Sequence, residues 1–450
     1  MQTDSTTLHS RNSWRSTGVG RALVLHPYLK SLGPLAGGAP ERSPEARLEE
    51  AVRLAGSIGL QVIFKIALPI AKPQPSHLFG QGKLAETREL VEGLSPDVVI
   101  VDGKLTPVQQ RNLERAWKVK VIDRTGLILE IFGARAKTSE GRLQVELAHL
   151  NYQRSRLVRS WTHLERQRGG MGFLGGPGET QIESDRRQIS EHIQRLTREL
   201  DQVRRTREAH RKGRRKAPYP VIAFAGYTNA GKSTLFNRLT HASVYADDLL
   251  FATLDPTMRG VNLPDGRRVI FSDTVGFISD LPTHLIAAFR ATLEEVLEAD
   301  LILHVRDISD PATEAQKQDV LQVLTDLGLD ERQQDNMIEV WNKIDLLEPA
   351  RQEEVRNIAA RAANVAPISA VTGEGCDALL RAIAGRLSAR RETVELRLPP
   401  GDGANLAWLH AHSQVLELRH DEAGAAYIRA AIDPEDLARY HKRVNQSAPG

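Results

Sequence analysis

Residues 226 to 233 read Gly-Tyr-Thr-Asn-Ala-Gly-Lys-Ser, directly behind the apolar run Val221-Ile222-Ala223-Phe224-Ala225. A strand signal followed by a loop with glycine near both ends and a Lys-Ser pair fits a phosphate cradle. The backbone curls tightly, and successive N–H groups turn inward toward phosphate oxygens. Lys232 is then placed to reach β- and γ-oxygens, and the Ser233 hydroxyl to hold Mg²⁺. Tyr227, Thr228, Asn229, Ala230 and Gly231 line the loop between Gly226 and that lysine, with Thr234 just beyond Ser233. A loop of this kind demands a buried strand before it and a helix after it, so the surrounding fold is expected to be a doubly wound α/β sheet.

Three downstream segments, in order and each behind a strand signal, narrow the chemistry. Asp273-Thr274-Val275-Gly276 follows Val269-Ile270-Phe271-Ser272. A carboxylate there can hold a magnesium-bound water, and the glycine N–H can meet a γ-phosphate. Asn342-Lys343-Ile344-Asp345 follows Met337-Ile338-Glu339-Val340-Trp341. Its aspartate can accept two N–H bonds from the guanine edge. Adenine offers no such pair of donors, and a buried polar group left unpaired on the wrong ligand is penalised. Ser369-Ala370-Val371 fits a loop closing over the base. Taken singly, each piece also occurs as an ordinary turn; their ordering is what predicts a GTP-hydrolysing site.

The 450-residue chain, 41% hydrophobic, has room for about three domains. Its apolar run at residues 62–70 is interrupted by Lys65 and Pro69 and is too short to span a bilayer. With Cys376 as the one cysteine, an internal disulfide framework and a cysteine-cluster zinc site are excluded, which suits a reducing compartment such as the cytoplasm. Charge is uneven. Residues 151–216 hold 17 Lys and Arg against 8 Asp and Glu, a local net of +9 in a chain whose total is +3. Such concentration favours a polyanion partner over a merely solvated helix.

The pattern divides the chain into five parts. Residues 1–20 read as a disordered tail, with an organelle transit peptide as the alternative. Residues 21–135 alternate short apolar runs with helical segments, an N-terminal α/β domain in which Asp102, Asp123 and Arg124 stand at strand ends. There they serve either a ligand or, as the simpler reading, helix caps and turns. Residues 136–217 read as an antiparallel helical hairpin, with Ile182, Ile189, Ile193, Leu196, Leu200 and Val203 at coiled-coil-like spacing. Its connection, residues 169–178, has six glycines set around Met171, Phe173 and Leu174, a reaching or docking loop rather than an ordinary short turn. Residues 218–390 form the GTPase domain. Residues 391–450 read as a small α+β unit, with strands at 394–398 and 425–430 and a loop turning into helix over 401–418.

This combination resembles the HflX family of translation-factor-class GTPases. The resemblance is carried by the phosphate loop continuing through Thr234-Leu235-Phe236-Asn237, by Phe251-Ala252-Thr253-Leu254-Asp255-Pro256-Thr257, and by Asp273-Thr274-Val275-Gly276-Phe277. The linker motif Gly176-Pro177-Gly178-Glu179-Thr180-Gln181-Ile182-Glu183, with Asp185-Arg186-Arg187, is more specific than any of them. The resemblance covers residues 20 to 390 and implies a monomer that binds GTP or GDP, ribosomal RNA, the large (50S) ribosomal subunit and the 70S ribosome. It further implies dissociation or rescue of stalled or stress-arrested ribosomes. Carried over by position, Lys232 neutralises phosphate charge, Ser233 and Thr253 hold Mg²⁺, Asp273 acts through a metal-bound water, and Gly276 meets the γ-phosphate. Phe251, Ala252, Thr253, Leu254 and Asp255 contact the nucleotide from a first, mobile switch, and Asp273 to Phe277 open a second, while Thr257 competes with Thr253. Many relatives of this fold have glutamine after that glycine to orient water, whereas this chain has Phe277, which predicts slow intrinsic hydrolysis and stimulation by a partner. In several related GTPases an asparagine at the place of Asn229 helps to hold K⁺; the alternative is that Asn229 only favours the loop's conformation. The rival readings are a GTPase of RNA modification or ribosome assembly, an ATP-driven RNA remodeller, and a scaffold with an inactive site. The linker motif, the lack of a phosphate loop in residues 20–135, and the presence of Lys232, Ser233 and Asp273 argue against each in turn.

Overall fold

The computed structural model describes residues 20–30, 42–161, 181–214, 219–241, 251, 257–279, 295–362, 364–389, 391–421, 423–432 and 434–447. The glycine-rich segment 169–178 and the tail 1–19 lie outside them. Among the described residues no helix is long and apolar enough to cross a membrane.

The N-terminal part is a four-stranded parallel sheet of β1 (Arg21–Leu29), β2 (Gln61–Ile70), β3 (Val98–Val101) and β4 (Lys120–Asp123), in the order β2-β1-β3-β4. Successive side chains of a strand point to opposite faces, and both faces are apolar here because both are covered. Ala22, Val24, Val98, Ile100 and Ile122 pack under α1 (Pro44–Gly56) and α4 (Arg124–Arg135). Leu23, Leu25, Val99, Val101 and Val121 pack under α2 (Gln81–Leu94) and α3 (Pro107–Trp117). Local chemistry sets the helix starts. Ser43 caps α1 ahead of Pro44, and Thr106 with Gln109 forms a reciprocal capping box at α3.

The strand-end carboxylates are committed to structure, as the simpler reading expects. Asp123 caps α4 through the Gly126 N–H at 2.8 Å and accepts bonds from Tyr152 and Arg156 of α5 (Ser139–Trp161) at 2.7 and 2.6 Å. Asp102 is held by His26 at 2.9 Å and by Arg124 at 2.6 Å. Just before the arm, α4 is buried nearly all round through residues 124–129, 131 and 132. The arm itself consists of α5, which rests on the N-terminal domain, and the 34-residue α6 (Gln181–Arg214), which lies against it with Leu196 and Leu200 buried.

The second sheet has the order β10-β9-β8-β5-β7-β6. Its strands are β5 (Val221–Gly226), β6 (Thr257–Asn262), β7 (Arg268–Asp273), β8 (Leu301–Asp307), β9 (Ile338–Asn342) and β10 (Val365–Pro367), parallel except that β6 runs against β7. Helices α7 (Lys232–Thr240), α8 (Thr313–Asp326), α9 (Pro349–Arg361) and α10 (Cys376–Ser388) accompany it. The side bearing Ala223, Ala225 and Ile302 shares one continuous core with the N-terminal domain, through Phe132, Tyr227, Phe251, Val275, Phe277 and Ile278.

The last unit departs from expectation. Helix α11 (Gly403–His412) stops at His412, and residues 413–418, read as its continuation, belong instead to strand β12 (Ser413–His420). That strand pairs antiparallel with β13 (Ala426–Ile432), which also pairs with β11 (Glu392–Leu398). A bulge between Val415 and Glu417 interrupts the period-2 pattern and hides the strand from a reading by periodicity. Helix α12 (Pro434–Ser447) closes the unit, with Leu409 and Tyr440 packed on Leu398, Ile428, Ala430 and Ile432.

Candidate nucleotide site and its link to the N-terminal domain

The loop from Gly226 to Gly231 joins β5 to α7 as its sequence predicts. Gly226 and Gly231 have φ of +150° and +92°, and a Cβ on either would come within 2.2 Å of Val305 O or of Asn342 Nδ2. Both glycines are therefore required by close approach as well as by conformation. Asn229 also has positive φ, +60°, which an asparagine tolerates better than most residues. This backbone conformation is what the conformational reading of that residue requires.

Lys232 is buried and folds back over its own loop, donating to Gly226 O at 3.0 Å and Tyr227 O at 2.8 Å. Burial pulls its pKa down to about 8, against the opposing pull of Asp273. The Ser233 hydroxyl donates to Asp273 Oδ2 at 2.7 Å. Thr274 anchors the start of the second switch by donating to Phe224 O at 2.5 Å. That switch then lies along the phosphate loop: Thr228 N–H donates to Phe277 O at 2.7 Å, and Phe277 N–H to Gly226 O at 3.1 Å. A side chain on Gly276 would strike Thr228 Cγ2 at 2.8 Å and approach Lys232 Nζ at 3.1 Å. Val275 is buried in the shared core, and so is the ring of Phe277, only 1% exposed.

At the base end, Asn342 spans two loops, donating to Ala230 O at 2.8 Å and accepting from Ala370 N–H at 2.9 Å. Lys343 pairs with Asp307 at 2.7 Å, Ile344 is buried beneath the turn, and Asp345 is exposed and free to meet a base edge. Ser369 is buried and accepts from Thr372 N–H, while Arg238 holds the carbonyls of Ala370 and Val371 from below. The structure thus brings together the expected residues of the phosphate loop, second switch and base loops. Ala252, Thr253, Leu254 and Asp255 lie outside the described residues. The rival Thr257 opens β6, directly opposite Asp273 in the β6–β7 ladder. Phe251, read as a nucleotide contact, is 2% exposed and packs edge-on against Phe132 of α4, ring centroids 4.7 Å apart.

Sequence reasoning missed what surrounds Tyr227. Its hydroxyl donates to Glu50 of α1 and accepts from Arg42 at 2.7 Å and from Ser279 N–H at 2.9 Å. Arg124 reaches the same cluster, with Nη2 3.1 Å from Glu50 and 3.0 Å from Ser279 Oγ. Arg42 also bonds Asp319 of α8 at 2.7 Å. Burial, reinforced by the Glu50 carboxylate, pushes the Tyr227 phenol above its ordinary value, so it stays a donor. Burial alone would lower the Arg124 pKa, but Asp102, Glu50 and Tyr227 overcome it and hold it above its ordinary value. No spacing in the sequence announces these contacts. The one clue is a bulky phenol at the second position of a loop that needs only small residues.

Phosphate loop, metal-side carboxylate, Asn-Lys-Ile-Asp turn and mixed six-stranded sheet define a P-loop GTPase. The comparisons with known proteins then fix the family. Models described as "GTP-binding GTPase N-terminal", "GTP-binding GTPase Middle Region", "50S ribosome-binding GTPase" and "HflX C-terminal domain" match residues 45–133, 135–214, 221–343 and 354–448. The GTPase HflX of Magnetococcus marinus is 52% identical, covering 89% of this chain and 91% of its own length. Those of Escherichia coli and Caldanaerobacter subterraneus are 46% and 44% identical, covering 88% and 87% of this chain and 92% and 88% of theirs. The chain belongs to the HflX family and is a GTPase.

Two outcomes are expected. Bound phosphates will restore the charge of Lys232, so above pH about 8 nucleotide binding should take up a proton and weaken by up to about tenfold per pH unit. Calorimetry in buffers of different ionisation enthalpy measures that uptake, and Lys232→Arg should abolish it. Tyr227→Phe leaves the loop backbone intact but strips the shared hydroxyl from Glu50, Arg42 and Ser279, at a cost of about 1–3 kcal/mol. Urea unfolding of the variant should show the loss.

Proposed function

We propose that this GTPase binds the large (50S) ribosomal subunit, as free subunit or within the 70S ribosome, and dissociates or rescues stalled ribosomes in the cytoplasm as a monomer. GTP hydrolysis to GDP and phosphate then resets it. The observation that carries the reading is the burial of Phe277. Next to Gly276 this chain offers an apolar ring turned into the shared core, where a self-sufficient GTPase would present a hydrogen-bonding side chain to water. A catalyst lacking that group is suited to completion by a partner. The +9 segment 151–216 supports a partner made of ribosomal RNA, and so does the "50S ribosome-binding GTPase" description over residues 221–343.

The donor set suits magnesium. Ser233 and Asp273 place a hydroxyl and a carboxylate oxygen 2.7 Å apart, hard ligands of the type Mg²⁺ prefers. In this reading Ser233 and Thr253 hold the ion and Asp273 acts through a bound water; the ion supplies neutralisation of charge on the β- and γ-oxygens. Lys232 leaves the carbonyls of Gly226 and Tyr227 for the phosphates, Asp345 takes the guanine edge, and Ser369, Ala370 and Val371 close over it. In the same reading Asn229 helps to hold K⁺ beside the phosphates, the alternative being that it only sets the loop's backbone, where its φ is +60°.

Co-sedimentation with 30S, 50S and 70S particles in a non-hydrolysable GTP analogue should pellet the protein with 50S and 70S, not with 30S. Turnover by the isolated protein should be slow and rise by roughly two or more orders of magnitude on adding 50S subunits. Fast turnover alone, with no gain from subunits, would sink the reading; association with 30S only would point to a GTPase of ribosome assembly. If Asn229 holds K⁺, turnover should be faster in potassium than in sodium buffer, and Asn229→Ala should remove the difference.

A further inference from the structure

The C-terminal unit has both helices on one side of its sheet. Apolar side chains of α11 and α12, among them Leu409 and Tyr440, cover Leu398, Ala426, Ile428, Ala430 and Ile432. The opposite face carries the alternate residues of β13, namely Tyr427, Arg429 and Ala431, and Tyr427 is 46% exposed. Strand register places their neighbours in rows. In the middle row Arg429 lies between Glu395 of β11 and Glu417 of β12, with a carboxylate residue on either side. In the end row Tyr427 lies between Arg397 and Arg419. The Arg397 guanidinium stands over the tyrosine ring, Cζ 5.6 Å from its centroid. Arg419 reaches Glu417 at 2.6 Å with 76% of its side chain exposed, a surface pair weak enough to exchange for another anion.

An exposed aromatic ring flanked by two guanidinium groups on a bare antiparallel sheet has the elements of a stacking platform for single-stranded nucleic acid. The ring takes a base face and the arginines take the adjoining phosphates. A protein partner would favour a contiguous apolar patch, whereas the groups around Tyr427 in this row are cationic. We propose that the β11-β13-β12 face binds unpaired RNA, with one base stacked on Tyr427 and its phosphates on Arg397 and Arg419. This deepens the ribosomal reading, on which it rests only for the natural source of the RNA, by giving the C-terminal unit a contact of its own.

The test is photocrosslinking of the full-length protein to a single-stranded oligouridine containing 4-thiouridine, with the adduct peptides mapped by mass spectrometry. An adduct is expected in the β13 peptide bearing Tyr427. Its yield should be kept by Tyr427→Phe and fall roughly tenfold in Tyr427→Ala, the scale of one lost base–aromatic stack. Arg397→Ala should lower the yield and flatten its dependence on salt by about one unit of log–log slope. Adducts confined to residues 151–216, or a β13 adduct indifferent to Tyr427→Ala, would overturn the proposal. Co-sedimentation with 50S subunits is scored separately, so failure of the ribosomal reading and failure of this contact are told apart.

Discussion

The phosphate loop and the segment ending at Ser279 are tied to the N-terminal domain through one hydroxyl group, that of Tyr227. Two buried ions of the N-terminal domain, Glu50 and Arg124, together with Arg42, need partners that water cannot supply. A buried charge stripped of its partner costs several kcal/mol; Glu50 pairs with Arg124 and Arg42, and Tyr227 and Ser279 complete the hydrogen bonding of the cluster. Tyr227 belongs to the phosphate loop and Ser279 to the end of the second switch. The electrostatic needs of one domain are thereby met in part by loops of another.

Apolar packing seconds this. Phe251 before the first switch meets Phe132, and Phe277 in the second switch enters the same core. Phe251, the phosphate loop and the segment 275–278 thus all meet the core shared with helix α4. The price is a deeply buried ionic cluster at a domain boundary, where one altered partner leaves several groups unsatisfied.

The chain's own sequence made the nucleotide site legible because phosphate chemistry constrains backbone and spacing together. Gly226, Gly231, Lys232 and Ser233 can hardly be exchanged, and Asp345 follows from the guanine edge. The N-terminal sheet was legible from alternation of apolar runs. Three features were not. The ionic cluster joins Glu50, Arg124 and Tyr227 across long sequence separations, and no local periodicity encodes such a meeting. Phe251 sits in a segment whose resemblance suggests a nucleotide contact, yet its ring is spent on packing. Strand β12 was masked by its bulge and by the apolar and helix-forming residues just before it, so that helix α11 seemed by pattern to run on.

Asn342 gives the site a further property. One side chain amide grips the phosphate loop at Ala230 and the base loop at Ala370. The two loops are thus held by a common strut rather than independently. A nucleotide whose base sits badly would tug on the loop that must wrap its phosphates, so misfit at the ring is felt at the reactive end. Discrimination between bases then extends from the grip on the ligand to its readiness to react.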